Sequence, residues 1–453
     1  MFCAFLNNKH TSLKAKLLFS GFVRIVATSV AVASLVGCGG TDGSHFISGT
    51  LTGLTTSGLV LANGSDTIAL SSGATIFRLP TKVASGTAYS VTVKEQPTNR
   101  DQVCNVSNGS GYVIGNDITT VIVSCRATQW NVSTFAGTGV FGSANGSANS
   151  ASFGNPLGVA VDGAGVVYVA DSSNNRIRKI AVDGTVSTLA GSGASGSADD
   201  SGTNATFNAP AGVATDASGN VYVTDSSNFK VRVISPTGAV KTLAGSGSAG
   251  SSDGLGSEAS FGFLGDLTLD SSGNIYVADW GNSMIRKITP EGMVTTIAGT
   301  GNTGSTDGPV SSATFYAPRG IAIDTAGNLY VADSGNNKVR KIDTKGDVST
   351  LAGSGVSTFA DGLGVAASFA NPYSVAVDTH GNVFVVDTFN VRLRKITADG
   401  FVTTVAGSGT FGSADGIGTA SSFSQPTSIA TNESGKIYLA ESGNCKIRGV
   451  RSQ

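Results

Sequence analysis

The sequence predicts an all-β protein, a six-bladed β-propeller preceded by a small β-sandwich, and three observations indicate this fold class. A 54-residue segment occurs six times without drift in spacing, starting at Val132, Val186, Val240, Val294, Val348 and Val402. Each copy holds four short apolar runs bounded by Gly, Asn, Asp and Pro, as β-strands do. Counted instead from the run that follows each F-x-x-P motif, the last set holds three runs, and a spare run at residues 131–136 precedes the first set. Complementary ends predict a closed ring of blades, which hides the sheet edges of an open array.

The motifs inside each copy resemble NHL repeats. P-x-G-V-A-x-D, G-N-x-Y-V-A-D-x-x-N-x-x-I-R-K-I and V-x-T-L-A-G-x-G recur over about 320 residues, so the propeller is expected to span 127–453. NHL-like propellers serve as protein-binding platforms, sensor ectodomains and RNA-binding modules, and related propellers serve as lyases and lactonases. The resemblance therefore implies a fold and leaves the function open.

Residues 1–37 resemble the signal peptide of a bacterial lipoprotein. A basic leader precedes an apolar run over 25–37, a length typical of an export signal and short for a membrane span. The run ends in Leu-Val-Gly-Cys38, which resembles the lipobox whose cysteine receives diacylglycerol and becomes the mature N-terminus. An uncleaved anchor helix is the alternative. Gly39 replaces the Asp that favours inner-membrane retention, so the expected location is the cell envelope, with the outer membrane favoured.

The next segments are a short tether over 38–45 and a domain over 46–126 without the 54-residue repeat. About seven short apolar runs in this domain predict a small β-sandwich of immunoglobulin-like type. Cys104 and Cys125 are its two cysteines, and export to an oxidising compartment favours a disulfide between them. Two buried thiols are the alternative.

Six-fold repetition separates structural residues from functional ones inside the propeller. We name the strands of each blade A to D from the channel outward. Acid, amide, Arg and Phe columns recur in every copy, beginning with Asp171, Asn174, Arg178 and Phe153. A group present in every blade is interpreted as structural, with acid and amide capping the B–C turn and Arg pairing the acid.

Composition argues against several function classes. The net charge is −1 and no basic face is evident, so nucleic acid is not an expected partner. Only three histidines occur, and no zinc cluster or Ser-His-Asp arrangement is visible, so we assign no catalytic residue and no metal ligand. An oxygen-only Ca²⁺ site at the axis stays open, and with it a metal-dependent hydrolase or lyase as the alternative function. The candidate ligands of such a site are the aspartates at the ends of the A strands, and turn capping is their alternative role: Asp162, Asp216, Asp270, Asp324 and Asp378.

Departures from the repeat gather on the face that carries the D–A and B–C loops. Long loops on a rigid scaffold are where binding usually resides, and aromatic and Arg side chains are its usual anchors. The candidates are Trp280, Arg319, Tyr373, Phe389, Phe229 and Asp266. We expect Trp280 to be exposed in the free protein, because other blades fill its position with Ser or Thr. The predicted function is a non-enzymatic binding module for a protein, peptide or glycan partner in the envelope or outside the cell, tethered to the membrane through Cys38.

Overall fold

The structure is a computed structural model that describes residues 43–97 and 102–453. The predicted signal peptide and Cys38 lie outside the described residues. In the described part, no helix has the length and apolar character needed to cross a bilayer.

The first domain is a sandwich of two four-stranded sheets, with strand orders β5-β2-β10-β8 and β4-β3-β7-β9. Side chains from both sheets, including Leu51, Leu61, Val91 and Val123, form one buried core. A further two-stranded pairing joins β1 to β6. The strands are β1 (Ser44–His45), β2 (Ile47–Thr52), β3 (Leu59–Asn63), β4 (Asp66–Leu70), β5 (Ile76–Arg78), β6 (Val83–Ala84), β7 (Ala88–Glu95), β8 (Gln102–Ser107), β9 (Ser110–Tyr112) and β10 (Ile118–Ala127).

The predicted disulfide in this domain is confirmed. Cys104 on β8 lies directly opposite Cys125 on the antiparallel strand β10. The two residues form a disulfide, with their Cα atoms 4.0 Å apart. The bond therefore ties together two neighbouring strands of one sheet.

Six sheets of four or five strands follow. The A strands are Pro156–Val161, Pro210–Thr215, Leu264–Leu269, Pro318–Ile323, Pro372–Val377 and Pro426–Thr431. The B strands are Val167–Asp171, Val221–Asp225, Ile275–Asp279, Leu329–Asp333, Val383–Asp387 and Ile437–Glu441. The C strands are Arg176–Ile180, Lys230–Ile234, Met284–Ile288, Lys338–Ile342, Arg392–Ile396 and Lys446–Ser452. The D strands of blades 1 to 5 are Thr185–Ala190, Val240–Ala244, Met293–Ala298, Asp347–Ala352 and Phe401–Ala406.

Short elements complete the blades. Five blades carry a two-residue fifth strand outside strand D, which the sequence analysis missed: Gly146–Ser147, Gly254–Leu255, Gly308–Pro309, Gly362–Leu363 and Gly416–Ile417. The 3-10 helices are Ser172–Asn174, Gly202–Asn204, Ser226–Asn228, Gly256–Glu258, Ser334–Asn336, Gly364–Ala366 and Gly418–Ala420.

The ring closes through the two ends of the repeat region, as predicted. Each A strand contacts the A strand of the next blade, and the sixth contacts the first. Strand Trp130–Ala136 pairs antiparallel with Lys446–Ser452 and supplies the D strand of blade 6. Val132 is fully buried there, whereas Phe135 is only half-buried, with its ring 4.9 Å from that of Tyr438. Phe135 therefore packs against the core on one side, while the other side of its ring borders a surface groove.

The repeated polar columns have the predicted structural role. In blade 1 the Arg178 guanidinium lies 2.8 Å from the Asp171 carboxylate, and both side chains are fully buried. Asn174 donates a 2.8 Å hydrogen bond to the same carboxylate, and Phe153 packs under the guanidinium at 5.3 Å. A second carboxylate on the D–A loop also pairs with the Arg in blades 2 to 6, which the sequence analysis missed. These acids are Asp199, Asp253, Asp307, Asp361 and Asp415.

The aspartates at the ends of the A strands cap the A–B turns. In blade 2, Asp216 Oδ1 accepts hydrogen bonds from the backbone N–H groups of Ser218 and Asn220. Its Oδ2 accepts from Asn220 Nδ2 and the Tyr222 hydroxyl. Turn capping thus accounts for the oxygens that the sequence left open as Ca²⁺ ligands. Within residues 43–97 and 102–453, no group of three His, Cys, Asp or Glu side chains is placed to hold a metal ion.

Candidate functional site

A pocket of about 200 Å³ opens at the mouth of the central channel, on the face of the D–A and B–C loops. The first residues of the A strands and the B–C turns of blades 2 and 3 form its wall. Four of the six candidate binding residues line it: Asp266, Trp280, Arg319 and Tyr373. Phe229 does not line the pocket, but its ring packs against Phe263, which does. Phe389 is 66% exposed and lies outside the pocket. The structure therefore brings together residues that are up to two blades apart in sequence.

Trp280 takes a position whose usual residue links neighbouring blades. In blades 2, 4 and 5 the hydroxyl at this position donates a hydrogen bond to the first A-strand carbonyl of the next blade. Ser226 Oγ, for example, lies 2.9 Å from the carbonyl oxygen of Leu264. Ser334 and Thr388 make the equivalent bonds. The indole in blade 3 has no hydroxyl to do the same, so the repeat gives no structural reason for a tryptophan here.

The loop before strand A of blade 3 is shifted by one residue. The Gly281 N–H bonds to the carbonyl of Phe263, whereas the equivalent N–H of Ser227 in blade 2 bonds to Asn208, one position earlier in the repeat. A Cβ atom on Gly281 would lie 2.5 Å from the Phe263 nitrogen, so only glycine allows this approach. Leu264 stands where the other blades have proline, and Phe263 does not adopt the positive φ of its counterparts. The shift places the Phe263 ring against Trp280.

A row of side chains in contact borders the pocket. The rings of Phe229 and Phe263 are 5.3 Å apart, and those of Phe263 and Trp280 are stacked at 5.2 Å. The Arg319 guanidinium lies 4.3 Å from the Trp280 ring and 4.7 Å from the Tyr373 ring, and donates a 2.9 Å hydrogen bond to the Tyr373 hydroxyl. These contacts hold Arg319 in one orientation. They also leave Trp280 half-buried, so the expectation that it is exposed in the free protein is wrong.

Asp266 forms the floor of the pocket and also borders the channel beneath it. It occupies a position that is glycine in blades 1, 2 and 4. Its carboxylate accepts hydrogen bonds from the Ser374 hydroxyl and the Leu267 N–H, each at 3.0 Å. Desolvation by the surrounding walls raises the pKa of Asp266 to about 7, and the two neutral donors offset only part of this effect.

The chemistry of the lining favours binding. Among the described residues that line the pocket, Asp266 is the single carboxylate, and no histidine or cysteine is present. A pair of carboxylates for general acid–base catalysis is therefore not present among these lining residues. Aromatic walls with a few convergent polar groups are typical of a ligand pocket.

Fold and pocket together define a class, a closed β-propeller with a binding pocket at the mouth of its channel. The chain is an NHL-repeat β-propeller: the NHL repeat matches residues 153–180 and 207–234, and the Teneurin NHL domain matches residues 302–363. The chloroplastic protein SUPPRESSOR OF QUENCHING 1 of Arabidopsis thaliana is 28% identical over 58% of this chain. Teneurin-3 of Mus musculus is 27% identical over 41% of it. These matches span 27% and 8% of the two relatives, so most of each relative has no counterpart here.

Solved structures share the fold. A protein of unknown function from Bacteroides thetaiotaomicron aligns with 87% of this chain and 90% of its own, at 23% identity and a TM-score of 0.59. An auxiliary nutrient binding protein from the same organism aligns with 90% of this chain and 98% of its own, at 13% identity and a TM-score of 0.55. At these identities the likeness concerns architecture alone.

Proposed function

We propose that this protein is a non-enzymatic binding module of the bacterial envelope and that the pocket at the channel mouth holds a projecting group of its protein, peptide or glycan partner. One observation carries the proposal: the departures from the repeat in blades 3, 4 and 5 converge on one pocket. The blade repeat does not require these side chains, and one of them replaces an inter-blade hydrogen bond. Trp, Tyr and Arg at the centre of a surface are also the residues that dominate binding energy.

The name of one structural neighbour, an auxiliary nutrient binding protein, agrees with a binding role. The lipobox-like sequence at Cys38 supports a lipid-anchored location, with the propeller facing the periplasm or the outside of the cell.

The experiment is capture of partners from an envelope extract by wild-type protein, by Trp280→Ala and by Phe389→Ala. Removing the indole should weaken capture at least thirtyfold, equivalent to about 2 kcal/mol, because a central anchor is lost. Phe389→Ala is the matched control, since it removes an exposed aromatic side chain from the same face but outside the pocket. Equal loss with both variants, or with neither, would contradict a role for the pocket.

The thermal midpoint of each variant separates binding from folding. Trp280 contributes one stacked ring pair and one cation–π contact, together worth about 1–2 kcal/mol. A decrease of a few degrees is expected for Trp280→Ala in a protein of this size. A decrease of tens of degrees would mean that the indole mainly holds the blades together.

A further inference from the structure

Two ionisable groups of the pocket, Arg319 and Asp266, form no ion pair among the described residues. The Arg319 guanidinium contacts two aromatic rings and donates to one hydroxyl, and it forms no ion pair with any carboxylate in the described part of the chain. This contrasts with the Arg of the blade repeat, which pairs with a buried acid in every blade and with a second acid in most. A guanidinium held beside two aromatic rings, with N–H groups that make no other hydrogen bond among the described residues, suits a planar carboxylate.

Asp266 is the opposite case in the same pocket. Its hydrogen-bond donors, Ser374 and Leu267, are neutral, and no described Lys or Arg side chain forms an ion pair with it. The titratable or charged groups that line its two cavities with it are Arg319 and Tyr373. A partly buried carboxylate without a cation is costly, and a bound ammonium group would remove that cost.

Resting on the proposed function, we infer that the pocket recognises an α-amino-acid group, –CH(NH₃⁺)–COO⁻, with its carboxylate on Arg319 and its ammonium on Asp266. The group is either a free amino acid or the end of a larger molecule. A volume of about 200 Å³ equals a handful of water molecules at about 30 Å³ each, which suits a ligand of this size.

Other ligand chemistries fit the two charges less well. A neutral sugar compensates neither charge. A phosphate dianion would meet Arg319 but would be repelled by Asp266. Only a ligand with both an anionic and a cationic group provides a partner for the Arg319 guanidinium and for the Asp266 carboxylate.

The test is calorimetric titration of the full-length protein with each of the free L-amino acids at up to millimolar concentration. At least one should bind. Its N-acetyl derivative, which lacks the ammonium, and its methyl ester, which lacks the carboxylate, should each bind at least tenfold more weakly. Absence of binding by every amino acid, or equal binding of parent and derivatives, would overturn the inference.

Two variants assign the charges. Arg319→Gln should bind the amino acid and its methyl ester equally but should still bind the N-acetyl derivative more weakly. Asp266→Asn should bind the amino acid and its N-acetyl derivative equally but should still bind the methyl ester more weakly. A loss of structure alone would weaken all ligands in parallel, and that outcome would overturn the assignment.

Displacement distinguishes this inference from the proposed function. The amino acid that binds should release a captured partner whose carboxylate and ammonium occupy the pocket. A partner that requires Trp280 but is not released by any amino acid would overturn the inference and leave the proposed function standing.

Discussion

Each blade buries a guanidinium together with a carboxylate, and this repeated pair governs what a single substitution does. In blade 4 the Arg340 Nη1 and Asp333 Oδ2 atoms are 2.8 Å apart, and neither side chain is exposed. The pair is completed by Asn336 and by the Tyr316 N–H, so every oxygen of the carboxylate has a donor. Such a pair adds little net stability compared with apolar residues, but removal of one partner leaves the other as an uncompensated buried charge.

Arg340→Met is therefore expected to destabilise the propeller by about 3–5 kcal/mol, because Asp333 stays buried without its cation. The double variant Arg340→Met/Asp333→Asn should recover part of that loss, since the stranded charge is removed. Urea unfolding of the three proteins measures both effects. A double variant that is less stable than Arg340→Met would show that the pair acts through packing rather than charge.

Asp266 gives a pH-dependent prediction of known sign. Its pKa in the folded protein is raised to about 7 from an ordinary value of 3.8. The folded state therefore retains a proton that the unfolded state releases, and stability falls as pH rises from about 4 to about 7. Asp266→Asn has no carboxyl group to titrate at this position. The free energy of unfolding of the variant, relative to that of wild type, should therefore rise across that window by at most about 4 kcal/mol and stay level at higher pH. Melting curves at pH 5 and pH 8 check this, and an identical pH dependence of the two proteins would contradict it.

At the scale of the element, the strand that closes the ring comes from the opposite end of the repeat region. Trp130 packs against Phe384 of blade 5 with ring centroids 5.5 Å apart, and Val132 is fully buried. A chain that starts at Gly137 should lose about 1.5–3 kcal/mol for each of these two side chains. It should also aggregate through the bare edge of Lys446–Ser452. Melting temperature and gel filtration, compared with a chain that starts at Arg126, measure both effects, and equal behaviour would contradict the shared blade.

The four main strands of each blade were predictable, but the shifted loop of blade 3 was not. Strands A to D follow from apolar runs and turn residues that recur at a fixed spacing. The loop at Phe263 depends on a close backbone approach to Gly281, which no local pattern reveals. The replacement of proline by Leu264 marked the place as unusual without giving the new geometry. The two-residue outer strands were also missed, because two residues carry no periodicity.

At the scale of the whole molecule, repetition makes the exceptions informative. Four of the predicted binding residues break the repeat and lie around one pocket in the closed ring: Asp266, Trp280, Arg319 and Tyr373. Phe389 also breaks the repeat on the same face, but it lies outside the pocket. The sequence shows which residues depart from the pattern, whereas only the closed ring shows which departures meet. Coordinates were also needed to show that Arg319 forms no ion pair within residues 43–97 and 102–453.

The remaining prediction concerns where the molecule resides, and it rests on the lipobox-like sequence before Cys38. Cleavage before Cys38 with diacylglycerol on its thiol would give an anchor of two acyl chains. Two chains hold a protein stably at a membrane, whereas one gives only marginal binding. Mass spectrometry of the mature protein should therefore find a diacylated Cys38 and no residue upstream, and fractionation should recover the protein with outer membranes. Cys38→Ser should retain its leader, because lipid transfer and the subsequent cleavage both need the thiol. A wild-type protein that keeps residues 1–37 would instead support an uncleaved anchor.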